Sequence, residues 1–291
     1  MSTDIVDAGP DLRERLHEFF AIKTSCDVDG TMGYFSSESL TYIDATLGWV
    51  FDSPAALRSV FEQYMPNWKP PARSYATRVL ANETSALVHM VDTPELFGGE
   101  LRVLAAVDLE DGRIVRWVDY WDASAYDPEL YQQFRTPDDL FPRNLGEVPT
   151  RADPELVAVA TKLHAAFANG DASAAAALMH TDVVVVDMAL RSHVLGRIET
   201  AGYLGRVLAS VPYGRSSELR HVVGGSAGGG FEWRSGSGLV AGLTAIELDP
   251  DGLVTSITSV YDSRLIDPSD KAALVAATTP EHDTTDEGND R

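Results

Sequence analysis

The chain repeats itself once, over a long period. Laying LTYIDATLGWVFDSPAALRSVF (40–61) over VVVVDMALRSHVLGRIETAGYL (183–204) puts Asp44 on Asp187, an offset of 143 residues (187 − 44). At that offset Tyr75 falls on Glu218 and His89 on Glu232. Further on, VDLEDGRIVRWVDYWD (107–122) matches IELDPDGLVTSITSVYD (246–262), with the offset drifting to 140. So long a period exceeds solenoid repeats, and each copy must close a core of its own. The 291 residues leave room for two domains of ordinary size. The predicted division is a first domain over 1–126 with residues 1–10 flexible, a Pro- and charge-rich linker over 127–152, a second domain over 153–266, and an acidic, disordered tail over 267–291.

Both copies follow one plan. Leu12, Leu16, Phe19 and Phe20 lie on one face of an opening helix, as do Leu156, Val159, Leu163 and Phe167 in the second copy. Asp153-Pro154 is a helix cap with proline in the first turn. Short helices are predicted at 29–36 and 172–179. Paired short strands follow, at 39–45 with 48–51 and at 182–188 with 191–194. A further helix starts at Ser53-Pro54 and, with weaker cap chemistry, at Gly196. Longer strands close each copy, with hairpin signals at Glu110-Asp111-Gly112 and Asp249-Pro250-Asp251-Gly252. The fold class is α+β: two tandem cone-shaped barrel domains, each a curved antiparallel sheet around about three helices.

A net charge of −21 argues against nucleic acid and anionic membrane surfaces as partners. No run approaches a spanning helix, and the first 25 residues lack a signal peptide's apolar core, so the expected location is cytoplasmic. The single cysteine, Cys26, makes neither an internal disulfide nor a zinc site, and no metal is expected. The run Gly224-Gly225-Ser226-Ala227-Gly228-Gly229-Gly230 has no following GK[ST], so it reads as a loose hairpin rather than a phosphate loop.

CDVDGTMGYF and NGDASAAAALM before the first strand, the strand aspartate, the small residue opening the next helix (Ser53, Gly196), and the last strands GRIVRWVDYWD and GLVTSITSVYD together resemble the nuclear transport factor 2-like superfamily. That group includes steroid Δ-isomerases, SnoaL-like polyketide cyclases, scytalone dehydratase, limonene epoxide hydrolase and polyether epoxide hydrolases. The duplicated arrangement is most similar to the two-domain polyether epoxide hydrolases and cyclases. The resemblance implies a cofactor-free enzyme for a small hydrophobic oxygenated substrate, with the sheets paired as an internal pseudo-dimer and room for a homodimer. A superfold hosts many reactions, so a non-catalytic binding or scaffold role is the rival reading.

Asp44 and Asp187 end otherwise apolar strands, where desolvation raises a carboxylate's pKa and suits it as a base. The other reading of each is a strand-end turn. By resemblance Glu218 matches the acid that protonates an epoxide oxygen, or else turns outward to pair with Arg220 or Arg215. Tyr75 and His89 hold the matching places in the first copy and are candidate substrate contacts. Glu232, in His89's place, reads as a charge on the solvent face. Alternation puts Trp117, Asp119 and Trp121 on one face of the last strand. By resemblance to SnoaL-like cyclases Asp119 is a catalytic candidate, whereas Asp122 and Asp262, shared by the copies, read as strand-end structure. Tyr42, Trp121 and Tyr261 complete the candidate substrate contacts. Steroid isomerisation by the usual helix tyrosine is not expected, because Phe19 and Leu163 stand at that position.

Overall fold

The structure, a computed structural model, describes residues 10–146, 148–238 and 240–278. Of the residues expected to be flexible, 1–9 lie outside these while Pro10 opens a helix, and the last part of the acidic tail, 279–291, lies outside as well. The first unit runs α1 (Pro10–Thr24), α2 (Val28–Met32), β1 (Thr41–Asp44), β2 (Trp49–Phe51), α3 (Pro54–Tyr64), β3 (Ser74–Ala81), β4 (Ser85–Asp92), α4 (Pro94–Phe97), β5 (Leu101–Glu110), β6 (Arg113–Trp121). The connector carries α5 (Pro128–Phe134). The second unit runs α6 (Pro154–Asn169), α7 (Ala172–Ala176), β7 (Met179–Asp187), β8 (Ser192–Leu195), α8 (Arg197–Val207), β9 (Glu218–Gly225), β10 (Gly228–Arg234), β11 (Ala241–Leu248), β12 (Val254–Tyr261), and α9 (Pro268–Ala277) follows. Helix α9 lies within the stretch expected to lack structure; Asp267 caps it by accepting from Ser269 N, and Leu274 is buried. No helix among the described residues is long and apolar enough to cross a membrane.

Each sheet has six strands in the same order, β2-β1-β6-β5-β4-β3 and β8-β7-β12-β11-β10-β9. The sheets are mixed rather than purely antiparallel, because β1 runs parallel to β6 and β7 to β12. Hairpin turns force antiparallel neighbours, whereas β1 and β6 are far apart in the chain and free of that restraint. The capping chemistry follows the sequence. Ser53 accepts from Ala56 N and Asp153 from Glu155 N, while Gly196 offers no side-chain cap.

Each sheet curls around its own helices. Leu16, Phe19, Phe35 and Phe61 share one buried cluster with Trp117 in the first unit, and Leu163, Phe167 and Leu204 share another with Trp233 in the second. The outer faces of the sheets meet each other. Ile43, Leu87, Leu104 and Val118 interleave there with Val223, Leu243 and Val260. The central strands β4, β5, β6, β10 and β11 are therefore buried on both faces over most of their length.

A buried polar network crosses this apolar contact. Arg116 donates to Asp108 at 3.2 Å, to Glu232 of the other unit at 2.8 Å and to Leu145 O at 3.0 Å. Tyr120 donates to Glu232 at 2.7 Å, and His221 lies 3.0 Å from Asp108. Glu232 is thus not on a solvent face: the first sheet covers it. Burial alone would raise its pKa, but the Arg116 charge and hydrogen bond hold it below the usual carboxylate value. The glycine-rich hairpin is also tight rather than loose. A Cβ on Gly225 would lie 2.3 Å from Ala81 O, and Gly224 N donates to Ser85 Oγ at 2.9 Å, so glycine is what lets β9 press on the first unit.

Arg116→Leu would leave Glu232 and Asp108 buried beside an apolar side chain. It is expected to cost about 3–5 kcal/mol in urea unfolding, and replacing Arg116 and Glu232 together by apolar residues should restore much of that loss.

Candidate functional site

Within the first unit the parallel pairing of β1 with β6 puts Asp44 directly beside Asp119 and Tyr42 beside Trp117. Register partners on adjacent strands stand about 4.8 Å apart with side chains on the same face, so both carboxylates point into the cone. The Tyr42 and Trp117 rings stack with an interplanar angle of 2°. Tyr42 Oη donates to Asp119 Oδ2 at 2.5 Å, and Trp117 Nε1 donates to Asp119 Oδ1 at 2.6 Å. As alternation predicts, Trp121 joins this face; its Nε1 donates to Asp44 Oδ2 at 3.0 Å.

Asp44 Oδ1 also closes the turn into β2 by accepting from Thr46 N at 2.9 Å and Leu47 N at 2.8 Å. Its Oδ2 accepts only from Trp121 among the described residues, which leaves a lone pair for the cavity. Burial pushes the Asp44 carboxyl up to about 6 against these hydrogen bonds. Burial, together with the charge of Asp44, pushes Asp119 up to about 7. Two neighbouring carboxyls that both hold protons more tightly than usual titrate as a pair near neutral pH, which is what acid–base work requires.

These groups line a cavity of about 130 Å³, walled by aromatic side chains such as Trp49, Phe61 and Phe97. An engineered apolar cavity of about 150 Å³ holds benzene, so this space suits a single ring or the end of a chain. Lys23 from α1 and Asp92 at the end of β4 line the same cavity, only 6% and 4% exposed. Neither was singled out from the sequence. A signal existed: Lys23 continues the apolar face of Leu16, Phe19 and Phe20, where a charge is out of place. Among the described residues, no three His, Cys, Asp or Glu side chains come together as a metal site.

The second cone differs. Asp187 is fully buried, and each of its oxygens has two donors: Ala189 N and Leu190 N on Oδ1, Tyr213 and Tyr261 hydroxyls on Oδ2. Burial pushes it up to about 6, but no lone pair is left for a ligand. Ser259 stands beside it where Asp119 stands beside Asp44. Trp233 lies opposite Gly242, where the first unit pairs Met90 with Val103. A Cβ on Gly242 would come within 2.3 Å of the Trp233 ring, so indole fills the space that the first cone leaves open.

Other candidates fall outside the cavity. Glu218, the expected acid, has a side chain 70% exposed and lies 3.6 Å from Arg220, at the start of the edge strand β9. His89 opposes Leu104 on the outer face of its sheet; burial and Arg78 bring its pKa down to about 4. Tyr75 is exposed under the Arg73 guanidinium. Tyr261 serves Asp187 rather than the open cavity. Asp122 and Asp262 cap turns, and also tie the units together: Asp122 accepts from Ser263 N at 3.0 Å, and Asp262 accepts from Tyr131.

No family model and no curated protein matches the chain. Solved structures do match in fold. A steroid Δ-isomerase from Pseudomonas aeruginosa is 18% identical, with 44% of this chain and 92% of that one aligned and a TM-score of 0.35. A SnoaL-like protein from Burkholderia thailandensis is 14% identical over 38% of this chain and 95% of its own, with a TM-score of 0.33. An NTF2-like protein from Burkholderia xenovorans is 13% identical over 43% and 94%, with a TM-score of 0.34. Each spans less than half of this chain and most of itself, and each is a likeness of fold alone.

Asp44, Asp119 and Asp187 bind protons more tightly folded than their usual value of 3.8 allows in the unfolded chain. Their contribution to stability is therefore full below about pH 4 and lost as pH rises through about 6 to 7. Melting temperature should fall over that window, and Asp119→Asn should flatten the upper part of the slope. Asp187→Ala strips four buried donors of their acceptor, at about 1–3 kcal/mol for each that finds no other partner, and should lower urea stability strongly.

Proposed function

We propose that the first unit is a cofactor-free acid–base enzyme acting on a small hydrophobic oxygenated molecule, by epoxide opening or polyketide-type ring closure. The observation that carries this reading is Asp44, with a lone pair open to an apolar cavity, directly beside the Asp119–Tyr42 pair. Asp44 is the base; when Asp119 is protonated its hydrogen bond with Tyr42 runs from the carboxyl to the phenol oxygen, which frees the Tyr42 proton for the substrate and makes Tyr42 the donor. In epoxide opening Asp44 takes the proton of the attacking hydroxyl, whose oxygen bonds to an epoxide carbon as the ring C–O bond breaks. The released oxygen takes the Tyr42 proton, and Asp119 replaces it. In ring closure Asp44 takes a proton from a carbon between two carbonyls, that carbon bonds to a carbonyl carbon, and Tyr42 protonates the alkoxide. Either way Asp44 ends protonated and Asp119 ionised, and a proton passing between the neighbouring carboxyls resets the site. Burial in apolar surroundings strengthens each of these interactions.

The donor pair comes from two adjacent strands rather than from the opening helix, where Phe19 stands. The second unit, its cone filled and its aspartate saturated, serves as a permanent partner covering the outer face of the first sheet.

The reading is tested with small epoxy alcohols and β-keto thioesters. Asp44→Asn keeps the shape and removes the basic lone pair, so turnover should drop by about 10²–10⁴ while the fold is retained, with only the hydrogen bond from Trp121 Nε1 given up. Asp187→Asn should leave turnover unchanged. An unaltered rate in Asp44→Asn overturns the assignment, and binding of both compound classes without turnover of either shows a binding protein instead.

A further inference from the structure

The cavity has a second pair of polar side chains that the proposed reaction does not use. Lys23 Nζ donates to Ser74 Oγ at 3.1 Å and lies 3.9 Å from Asp92 Oδ1. That separation is an ion pair too long for a hydrogen bond, and Asp92 Oδ1 has no hydrogen-bond partner among the described residues. A buried carboxylate oxygen without a donor is costly, and buried pairs are stable only when their remaining hydrogen-bonding capacity is met. Both side chains line the cavity that holds Asp44, Asp119 and Tyr42.

From this we infer that Lys23 and Asp92 form a hydroxyl seat, and that the substrate is a neutral molecule carrying a hydroxyl remote from its reacting centre. Two atoms 3.9 Å apart can both be bonded by one oxygen about 2.8–3.0 Å from each; Oδ1 has essentially no open surface, so the incoming group meets it after a small turn of the Asp92 carboxyl. A hydroxyl is the group that meets both demands, accepting from the ammonium while donating to the carboxylate. A ketone or ether oxygen satisfies Lys23 but leaves Asp92 without a donor. A carboxylate is repelled by Asp92, and an ammonium by Lys23. A methyl group leaves both charges unmet. Sites built around a buried polar pair reject analogues lacking the matching group far more strongly than apolar pockets reject one of the wrong size. The seat deepens the proposed reaction and rests on it only for which end of the substrate enters beside Asp44.

The test is binding, measured by calorimetry at neutral pH with the full chain. The probes are one-ring compounds with at most one polar group: benzyl alcohol, toluene, benzaldehyde and benzoate. Wild type should bind benzyl alcohol ten- to a hundredfold more tightly than toluene, benzaldehyde or benzoate. Replacing both charges together (Lys23→Met with Asp92→Leu) should reverse the order in favour of toluene; Asp92→Asn, which keeps the shape, should shrink the preference. Equal or tighter toluene binding by wild type overturns the seat, as does a hydroxyl preference that survives the double substitution, or the absence of binding by every probe. Asp44→Asn separates the two ideas: it should leave the hydroxyl preference intact, so a lost preference in the charge variants alongside unchanged Asp44→Asn turnover would keep the seat and remove the catalytic role.

Discussion

The parallel contact between β1 and β6 is the constraint on which the site depends. It joins the first strand of the unit to the last, closes the cone, and sets Asp44 beside Asp119 in the same register that stacks Tyr42 on Trp117. A slip of one residue would turn every inward group outward. The same contact recurs between β7 and β12, placing Asp187 beside Ser259. One backbone geometry therefore presents an acid pair in one cone and a lone, fully bonded aspartate in the other.

The difference between the cones is one of volume and hydrogen bonding. In the second, Trp233 occupies the space above Gly242, and Tyr213 and Tyr261 bring hydroxyls to both remaining lone pairs of Asp187. In the first, Val103 and Met90 stand at those register positions, and Asp44 keeps one oxygen accessible. Aromatic side chains occupy one cone, while the other retains a cavity lined by two sets of polar groups.

The two copies are held together by both kinds of force. The apolar faces supply area, and the Arg116 network supplies specificity of alignment, since Glu232 from one unit must meet Arg116 and Tyr120 from the other. A second link, at the end of each last strand, runs from Asp122 to Ser263 and from Asp262 to Tyr131 on α5. Helix α5 also contributes Phe134 to the cavity wall, so the cross-unit bond to Tyr131 bears on the shape of the candidate site.

The sequence by itself determined the duplication, the order of elements, the caps at Ser53 and Asp153, and the inward set Trp117, Asp119 and Trp121, because these follow from local periodicity and cap chemistry. Asp44 was legible as a carboxylate ending an apolar strand, Tyr42 and Trp121 as aromatics suited to an apolar substrate, and Asp119 through the resemblance to SnoaL-like cyclases. What only the tertiary structure decided was which of them meet. Asp44 finds Asp119 rather than an acid on the following strands, because a parallel pairing between distant segments leaves no local trace. Alternation also cannot say which face lies inside when both are buried, so His89 and Glu232 went to the interface between the sheets instead of to a cone or to water. Lys23 and Asp92, far apart in the chain, became a pair only when α1 packed inside the curl of the sheet.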